Sequence, residues 1–264
     1  TGLLRYKILF QLGRLHSELG QNKQANEIWE ELVKNSELIE IKREAALRLA
    51  EFYESESIEK SLEKADAYYK QAIELCPKGD SCYYAHYKRA WLFHRLTLHE
   101  KAIGELEFVL WDSKGQPREE ALRDFILFWS HFGGDGKLAL TKIEELSTKL
   151  ARPSLLLELA NAYFAVGNKL AGVLVLELVN NRNPSLQHQI RLLEEYYGMR
   201  RWNDFRNLLL TTLEHAKHNQ LSRAEDERIL RRLALQLEGE QASQAELVTD
   251  FKLVVLLYLE LFPK

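Results

Sequence analysis

The residues best suited to covalent chemistry are two cysteines at the ends of a short loop in this 264-residue sequence. The loop reads Cys-Pro-Lys-Gly-Asp-Ser-Cys from Cys76 to Cys82, and its proline and glycine favour a turn that brings the ends together. Three interpretations stay open: reduced thiols, a Cys76–Cys82 disulfide, or a metal site that adds His86. A structural zinc site needs four ligands, and no fourth lies nearby.

A disulfide in this loop bears on where the protein resides. Disulfides persist in oxidising compartments and are rare in the cytosol. We therefore expect a periplasmic or other extracytoplasmic location if Cys76 and Cys82 are bonded, and a cytoplasmic one otherwise.

The remaining patterns that could support catalysis are weak. The eight histidines include no His-Glu-x-x-His or similar ligand pair. The run Gly133-Gly134-Asp135-Gly136 lacks the lysine that follows a phosphate-binding loop, so it indicates a turn, and its three glycines suggest a hinge. We expect no enzyme activity, no catalytic residue, no metal and no cofactor.

Aromatic side chains with polar groups form the strongest candidate for a binding site. They lie in the segment Tyr83–Val109 and are not needed to pair its two helices. Such side chains are the usual anchors of recognition surfaces, and an arginine among them can hold a carboxylate. The set in this segment is Tyr84, Tyr87, Trp91, His94 and Arg95.

The element that positions these side chains is a pair of helices. Ala90 and Phe93 lie three residues apart, and Ala102 is followed at helical spacing by Leu106 and Val109. This spacing predicts two helices packed as a hairpin, with a small residue where they cross. Arg89 and His86 depart from the pattern, because they occupy positions where apolar residues are expected.

The same spacing recurs along the chain. The equivalent second-helix positions are Ala25, Ala65, Ala102, Ala139, Gly172, Phe205 and Phe251. The chain thus resembles the tetratricopeptide repeat family over nearly its whole length, with HEAT-like or Sel1-like repeats as the main alternative. The approximate repeats of this single domain over 1–264 are 6–39, 43–79, 83–115, 118–151, 153–185, 186–218 and 226–264.

The resemblance implies an all-α fold, a right-handed α-solenoid of about seven helical hairpins with a concave groove lined by first helices. The residues expected to bind a protein or peptide partner there are Tyr84, Tyr87, Trp91, His94, Arg95, Asp124, Phe128, His131, Asn161, Phe164 and Tyr197. The alternative is that these aromatic residues pack between adjacent repeats. A Lys and Asn clamp for chaperone tails is absent, because the matching places hold Phe10, Arg14, Leu47 and Glu51.

Composition excludes some classes of partner. Hydrophobic residues make up 46% and charged residues 28%, as in a folded globular chain. The net charge is −3 and basic residues alternate with acidic ones, so we expect no nucleic-acid partner. The most apolar run, Val248 to Phe262, is interrupted by charges and shorter than the ~20 residues of a membrane span.

That last helix is apolar nearly all round, which is unusual at the end of a repeat stack. Its stripe of Phe251, Val255, Tyr258 and Phe262 suggests a terminal interface, for a second copy of the chain or another protein. A buried cap within the chain is the other interpretation. Resemblance also suggests a scaffold in a bacterial cell-envelope assembly or motility complex.

Overall fold

The computed structural model describes residues 2–56, 58–76, 80–132, 136–216, 224–240 and 246–262. The chain divides into two compact units, unit 1 (Thr1–Phe132) and unit 2 (Gly133–Lys264). The described residues form helices and turns without strands, so the prediction of an all-α fold is confirmed. The single domain and its repeat boundaries stay a prediction.

The described residues of unit 1 form seven helices. They are α1 (Gly2–Glu18), α2 (Asn22–Asn35), α3 (Ile39–Glu56), α4 (Glu59–Glu74), α5 (Asp80–Arg95), α6 (His99–Asp112) and α7 (Gln116–His131). The pairs α1–α2, α3–α4 and α5–α6 pack as hairpins. Each second helix (α2, α4 and α6) also packs against the next first helix. First helices touch as well, α1 with α3 and α5 with α7.

In unit 2, seven helices lie within the part of the chain that the structure describes. They are α8 (Lys137–Lys149), α9 (Ser154–Ala165), α10 (Lys169–Arg182), α11 (Leu186–Gly198), α12 (Trp202–Ala216), α13 (Ala224–Glu240) and α14 (Glu246–Leu261). The pairs α9–α10, α11–α12 and α13–α14 form hairpins. In the last hairpin α13 packs on α11 and α14 packs on α12.

Small residues sit where the paired helices cross, as the spacing predicts. Ala50 and Ala65 are fully buried in α3 and α4, and Ala90 and Ala102 are fully buried in α5 and α6. In the first hairpin Gly13 occupies the crossing position. A Cβ added there would lie 2.7 Å from Nε1 of the buried Trp29. The close approach of the backbones therefore leaves no room for a larger side chain.

A shared turn joins the two helices of four hairpins. The second residue after the first helix has positive φ in each case: Gly20, Thr97, Gly167 and Arg200. The N–H of the residue that follows it donates to the carbonyl oxygen five residues earlier. The N–H of the positive-φ residue itself donates to the carbonyl oxygen three residues earlier. Together these two hydrogen bonds form the Schellman motif. Glycine adopts this geometry freely, whereas Thr97 and Arg200 adopt it against steric cost.

Arg89 and His86 lie inside the third hairpin, and carboxylates on both neighbouring helices stabilise them there. Arg89 donates to Asp66 of α4 at 2.6 Å and to Glu105 of α6 at 2.9 Å. His86 forms a 2.5 Å hydrogen bond with Glu105. The apolar stem of Arg89 packs while its guanidinium reaches these oxygens. The register predicted for α5 is therefore retained.

The register predicted for α14 is wrong by one residue. Phe251 is only half-buried, whereas Asp250, Val254 and Leu257 are buried. Asp250 accepts two hydrogen bonds from Nε of Arg206 on α12, both at 3.0 Å. A buried carboxylate at this position was not anticipated, because the pattern assigned the crossing to the apolar neighbour Phe251.

The loop predictions fall largely outside the described residues. Gly133, Gly134 and Asp135 of the predicted hinge lie outside them. Cys76 is disulfide-bonded, but the side chain of Cys82 is not among those described, so the pairing stays a prediction. Within the described residues, no helix combines the length and hydrophobicity needed to cross a membrane.

Two glycine substitutions test the close approach of the helices. Gly13→Ala places a Cβ against Trp29. The resulting overpacking should cost about 1–3 kcal/mol of stability, which outweighs the ~1 kcal/mol gained in helix propensity. Gly104→Ala in α6 meets open space, so only the propensity gain of about 0.5–1 kcal/mol applies. Urea unfolding should show lower stability for the first variant and higher stability for the second. Equal changes in the two variants would contradict the packing described.

Candidate recognition surface

The first helices α5 and α7 are joined by one carboxylate. Asp124 of α7 accepts a hydrogen bond from the Tyr87 hydroxyl at 2.6 Å and another from Nε1 of Trp91 at 3.0 Å. Burial, and then the bond to Asp124, raises the pKa of Tyr87 to about 12. These two aromatic side chains are therefore held in place by one side chain on the neighbouring helix.

A second group of carboxylates joins α3 to α5. The Tyr84 hydroxyl donates to Glu51 at 2.5 Å. Glu54, which is 9% exposed, accepts from the Tyr69 hydroxyl at 2.6 Å. Lys88 and Arg95 of α5 lie 3.7 and 3.6 Å from the Glu54 carboxylate. The arginine expected to hold a partner's carboxylate thus contacts one within the chain.

The C-terminal part of α5 packs against α7 through aromatic rings. His94 stacks on Phe128 with ring centroids 4.1 Å apart, and Trp91 meets Phe128 edge-on at 5.0 Å. Phe128 is fully buried, so its placement on the groove surface is corrected: it packs between repeats. The alternative interpretation of the aromatic residues therefore holds for this side chain.

Three histidines meet at the same end of the surface. The His94 ring lies 5.4 Å from that of His131 and 6.1 Å from that of His99. Burial lowers the pKa of His94, and the two neighbouring histidines lower it further, while Asp124 opposes them. Nδ1 of His94 is buried and, within the described part of the chain, has no hydrogen-bond partner. A proton on this ring is therefore poorly accommodated.

Eight of the eleven predicted partner-binding residues thus lie in unit 1, on α5 and α7. Tyr84, Arg95 and His131 are exposed there, whereas Tyr87, Trp91, His94 and Asp124 are half-buried. Sequence reasoning did not single out Lys88 as their neighbour. Its position three residues before Trp91 and seven before Arg95, along one face of α5, was the available signal.

The other three predicted residues lie in unit 2. Asn161 is exposed on α9. Phe164, also on α9, packs against Gly172 and carries the guanidinium of Arg191 over its ring at 4.8 Å. Tyr197 of α11 meets Trp202 edge-on at 5.5 Å. Phe164 and Tyr197 are half-buried, so their rings are shared with the packing of unit 2.

The predicted terminal interface lies beside the buried face of α14. Phe251, Val255 and Tyr258 line a cleft shared with α13, and Phe262 packs against Tyr258 at a centroid distance of 5.6 Å. All four are half-buried. Among the described side chains of α14, Leu256 and Leu259 are large apolar residues that are more than half exposed, at 52% and 56%.

Comparison with known proteins supports the repeat assignment. Residues 8–36 match the family model of the tetratricopeptide repeat. This segment covers most of α1 and all of α2, including the crossing of Gly13 with Ala25 and Trp29. The resemblance predicted from the spacing of small residues is thereby confirmed for this segment. No curated protein matches the sequence.

The histidine cluster predicts a stability that depends on pH. Because the pKa of His94 is lowered from 6.5 in the folded chain, the unfolded chain binds more protons below that pH. The free energy of unfolding should therefore fall as the pH drops through about 6.5. His94→Phe, which keeps the ring on Phe128, should reduce this loss.

Urea unfolding at about pH 8 and about pH 5.5 measures the effect. His188 in unit 2 also has a pKa lowered by burial. His188→Phe is therefore the matched variant, because it removes another histidine of lowered pKa and keeps the cluster of three histidines. An unchanged pH dependence in His94→Phe would contradict the role given to this ring.

Proposed function

We propose, from the tetratricopeptide repeat that the chain carries at residues 8–36, that this protein is a protein–protein interaction scaffold. Tetratricopeptide repeats generally mediate protein–protein interactions and are typically non-catalytic modules. In unit 1 the scaffold binds a peptide segment or a helix of a partner along the first helices α3, α5 and α7. The residues of this surface are Tyr84, Tyr87, Trp91, His94, Arg95, Asp124 and His131.

One observation carries the proposal: the Asp124 carboxylate fixes Tyr87 and Trp91 side by side on the surface. Aromatic side chains held in one conformation lose little entropy when a partner binds. They also combine a large apolar area with a polar group, which suits a binding anchor. Tyr84, at 47% exposure, offers the most accessible ring beside them. Unit 2 offers Asn161, Phe164 and Tyr197 as further contacts.

Exposed residues are the right ones for testing this surface. Phe128→Ala would cost about 3–5 kcal/mol of stability through the cavity it leaves. A loss of binding in that variant could not be separated from a loss of folding. The combination Tyr84→Ala and Arg95→Ala removes two exposed groups of α5, while Lys88 and the Tyr69 hydroxyl still contact Glu54. The matched control is Trp111→Ala with Lys101→Ala, which removes an exposed aromatic and a cation from the second helix α6.

The measurement is affinity capture from the native source, with the bound proteins quantified by mass spectrometry. Wild type and the α6 control should retain the same partners, and the α5 variant should lose them by about tenfold or more, as loss of anchor residues implies. Circular dichroism should show equal helicity in all three. Undiminished capture by the α5 variant would contradict the proposal.

A second candidate function is self-association through α14. Leu256 and Leu259 lie three residues apart on this helix and are both more than half exposed. A contiguous patch of exposed apolar side chains marks an interface, and these two leucines would form part of one. In this interpretation the protein is a structural module whose copies, or partners, cover the C-terminal helix.

Light scattering distinguishes the two functions. If α14 is an interface, wild type should be oligomeric and Leu256→Glu with Leu259→Glu should be monomeric, because charges oppose burial. Leu170→Glu, at an apolar residue 73% exposed on α10, is the control and should leave the mass unchanged. A wild-type monomer would rule out homo-oligomerisation through α14.

We also propose an extracytoplasmic location, in a bacterial cell-envelope assembly or motility complex. The support is the disulfide-bonded state of Cys76, since disulfides are rare in the cytosol. Two reactive thiols in protein isolated natively and then unfolded would remove this support.

A further inference from the structure

A small cleft opens beside the recognition surface, between the start of α5, the end of α6 and the start of α7. We call it the tyrosine cleft. Its lining residues are Tyr83, Tyr84, Tyr87, Val109, Pro117 and Glu120. Its volume of about 120 Å³ is well below the ~300–1,000 Å³ of sites that take whole small molecules. The cleft therefore suits the end of a single side chain.

The three tyrosines present their rings to this cleft because their hydroxyls are bonded elsewhere. The Tyr83 hydroxyl donates to the carbonyl oxygen of Asp112 at the end of α6. The Tyr84 hydroxyl donates to Glu51 of α3, and the Tyr87 hydroxyl donates to Asp124 of α7. Three acceptors on three different helices thus hold the rings in place around one space.

Carboxylates lie at the cleft and beside it. Glu120 lines it directly, and both Asp124 and Glu120 act to raise the pKa of Tyr87. Glu51 likewise raises the pKa of Tyr84, against the opposing effect of Arg48. The positive end of α7 lies nearby, but its dipole amounts to only about half a charge. The field in the cleft therefore favours a cation.

Aromatic rings and a carboxylate together are the chemistry that recognises an organic cation. The negative faces of tyrosine rings attract an ammonium or guanidinium group within about 6 Å, and more strongly when it is desolvated. A carboxylate at the edge adds a direct charge pair. An apolar side chain would gain from the rings alone, whereas a cation would also pair with Glu120, whose carboxylate accepts one hydrogen bond from Gln116 of the same helix.

We propose that the tyrosine cleft binds the cationic head group of a lysine or arginine side chain of the partner, including N-methylated forms. This inference rests on the proposed function, because it places the cation on a peptide or helix bound along α3, α5 and α7. It adds the chemical class of one partner residue. The lysine or arginine enters between Tyr84 and Glu120 while the remainder of the partner lies over Trp91 and Arg95.

The cleft can be tested without knowing the partner. The probe is N-acetyl-trimethyllysine methylamide, and its matched control is the neutral analogue in which carbon replaces the quaternary nitrogen. Both have the same shape, so any difference in affinity reports the charge. NMR titration against the whole chain, following the upfield ring-current shift of the methyl signal, measures both dissociation constants. The cation should bind at least about fivefold more tightly, as cation–π attraction implies.

Matched variants locate the binding. Tyr84→Leu removes a ring and should weaken binding of the cation by about fivefold or more. Glu120→Gln removes the lining carboxylate and should weaken binding by about threefold. Glu119→Gln, in the same turn of α7 but outside the lining, should leave it unchanged.

Each outcome decides the inference. Equal affinity for the charged and neutral probes, or unchanged binding in Tyr84→Leu, would overturn it even if partner capture depends on α5. Selective binding of the cation that is lost in Tyr84→Leu and Glu120→Gln supports it. Circular dichroism of every variant separates loss of binding from loss of fold. Failure of the partner-capture experiment would leave these probe affinities as an independent result.

Discussion

The recognition surface of unit 1 depends on the carboxylate of Asp124. A half-buried charge on a helix is stable only if donors compensate for its lost water. Tyr87 and Trp91 supply those donors from the neighbouring first helix, so the demand of Asp124 for hydrogen bonds sets the positions of two aromatic side chains. The same two hydrogen bonds therefore join the helices and arrange the surface.

The same principle extends along the first helices of the unit. Glu51 and Glu54 of α3 take donors from α4 and α5, as Asp124 takes them from α5. Small residues let each hairpin close tightly, which frees the outer face of the first helix for these polar contacts. Apolar packing on one side of α5 gives this helix its stability. Carboxylates with aromatic donors on the other side give it its recognition chemistry.

Much of this could be predicted from the sequence, because small residues recur at helical spacing and mark each crossing. Ala50, Ala90 and Ala102 are buried as that spacing requires. The pattern failed where a polar residue replaces an apolar one. Asp250 is buried in the place assigned to Phe251, where Arg206 on α12 donates to its carboxylate. Such long-range pairs, and the burial of Phe128, depend on tertiary packing that local periodicity does not record.

The central claim is that the Asp124 carboxylate fixes the aromatic surface before any partner binds. A double-mutant cycle of Tyr87→Phe and Asp124→Ala, measured by urea unfolding, tests it most directly. The account predicts a coupling free energy of about 1.5–3 kcal/mol, as expected for a hydrogen bond to a charged group. Additive effects, with coupling below about 0.3 kcal/mol, would show that the two side chains are independent and would contradict the account.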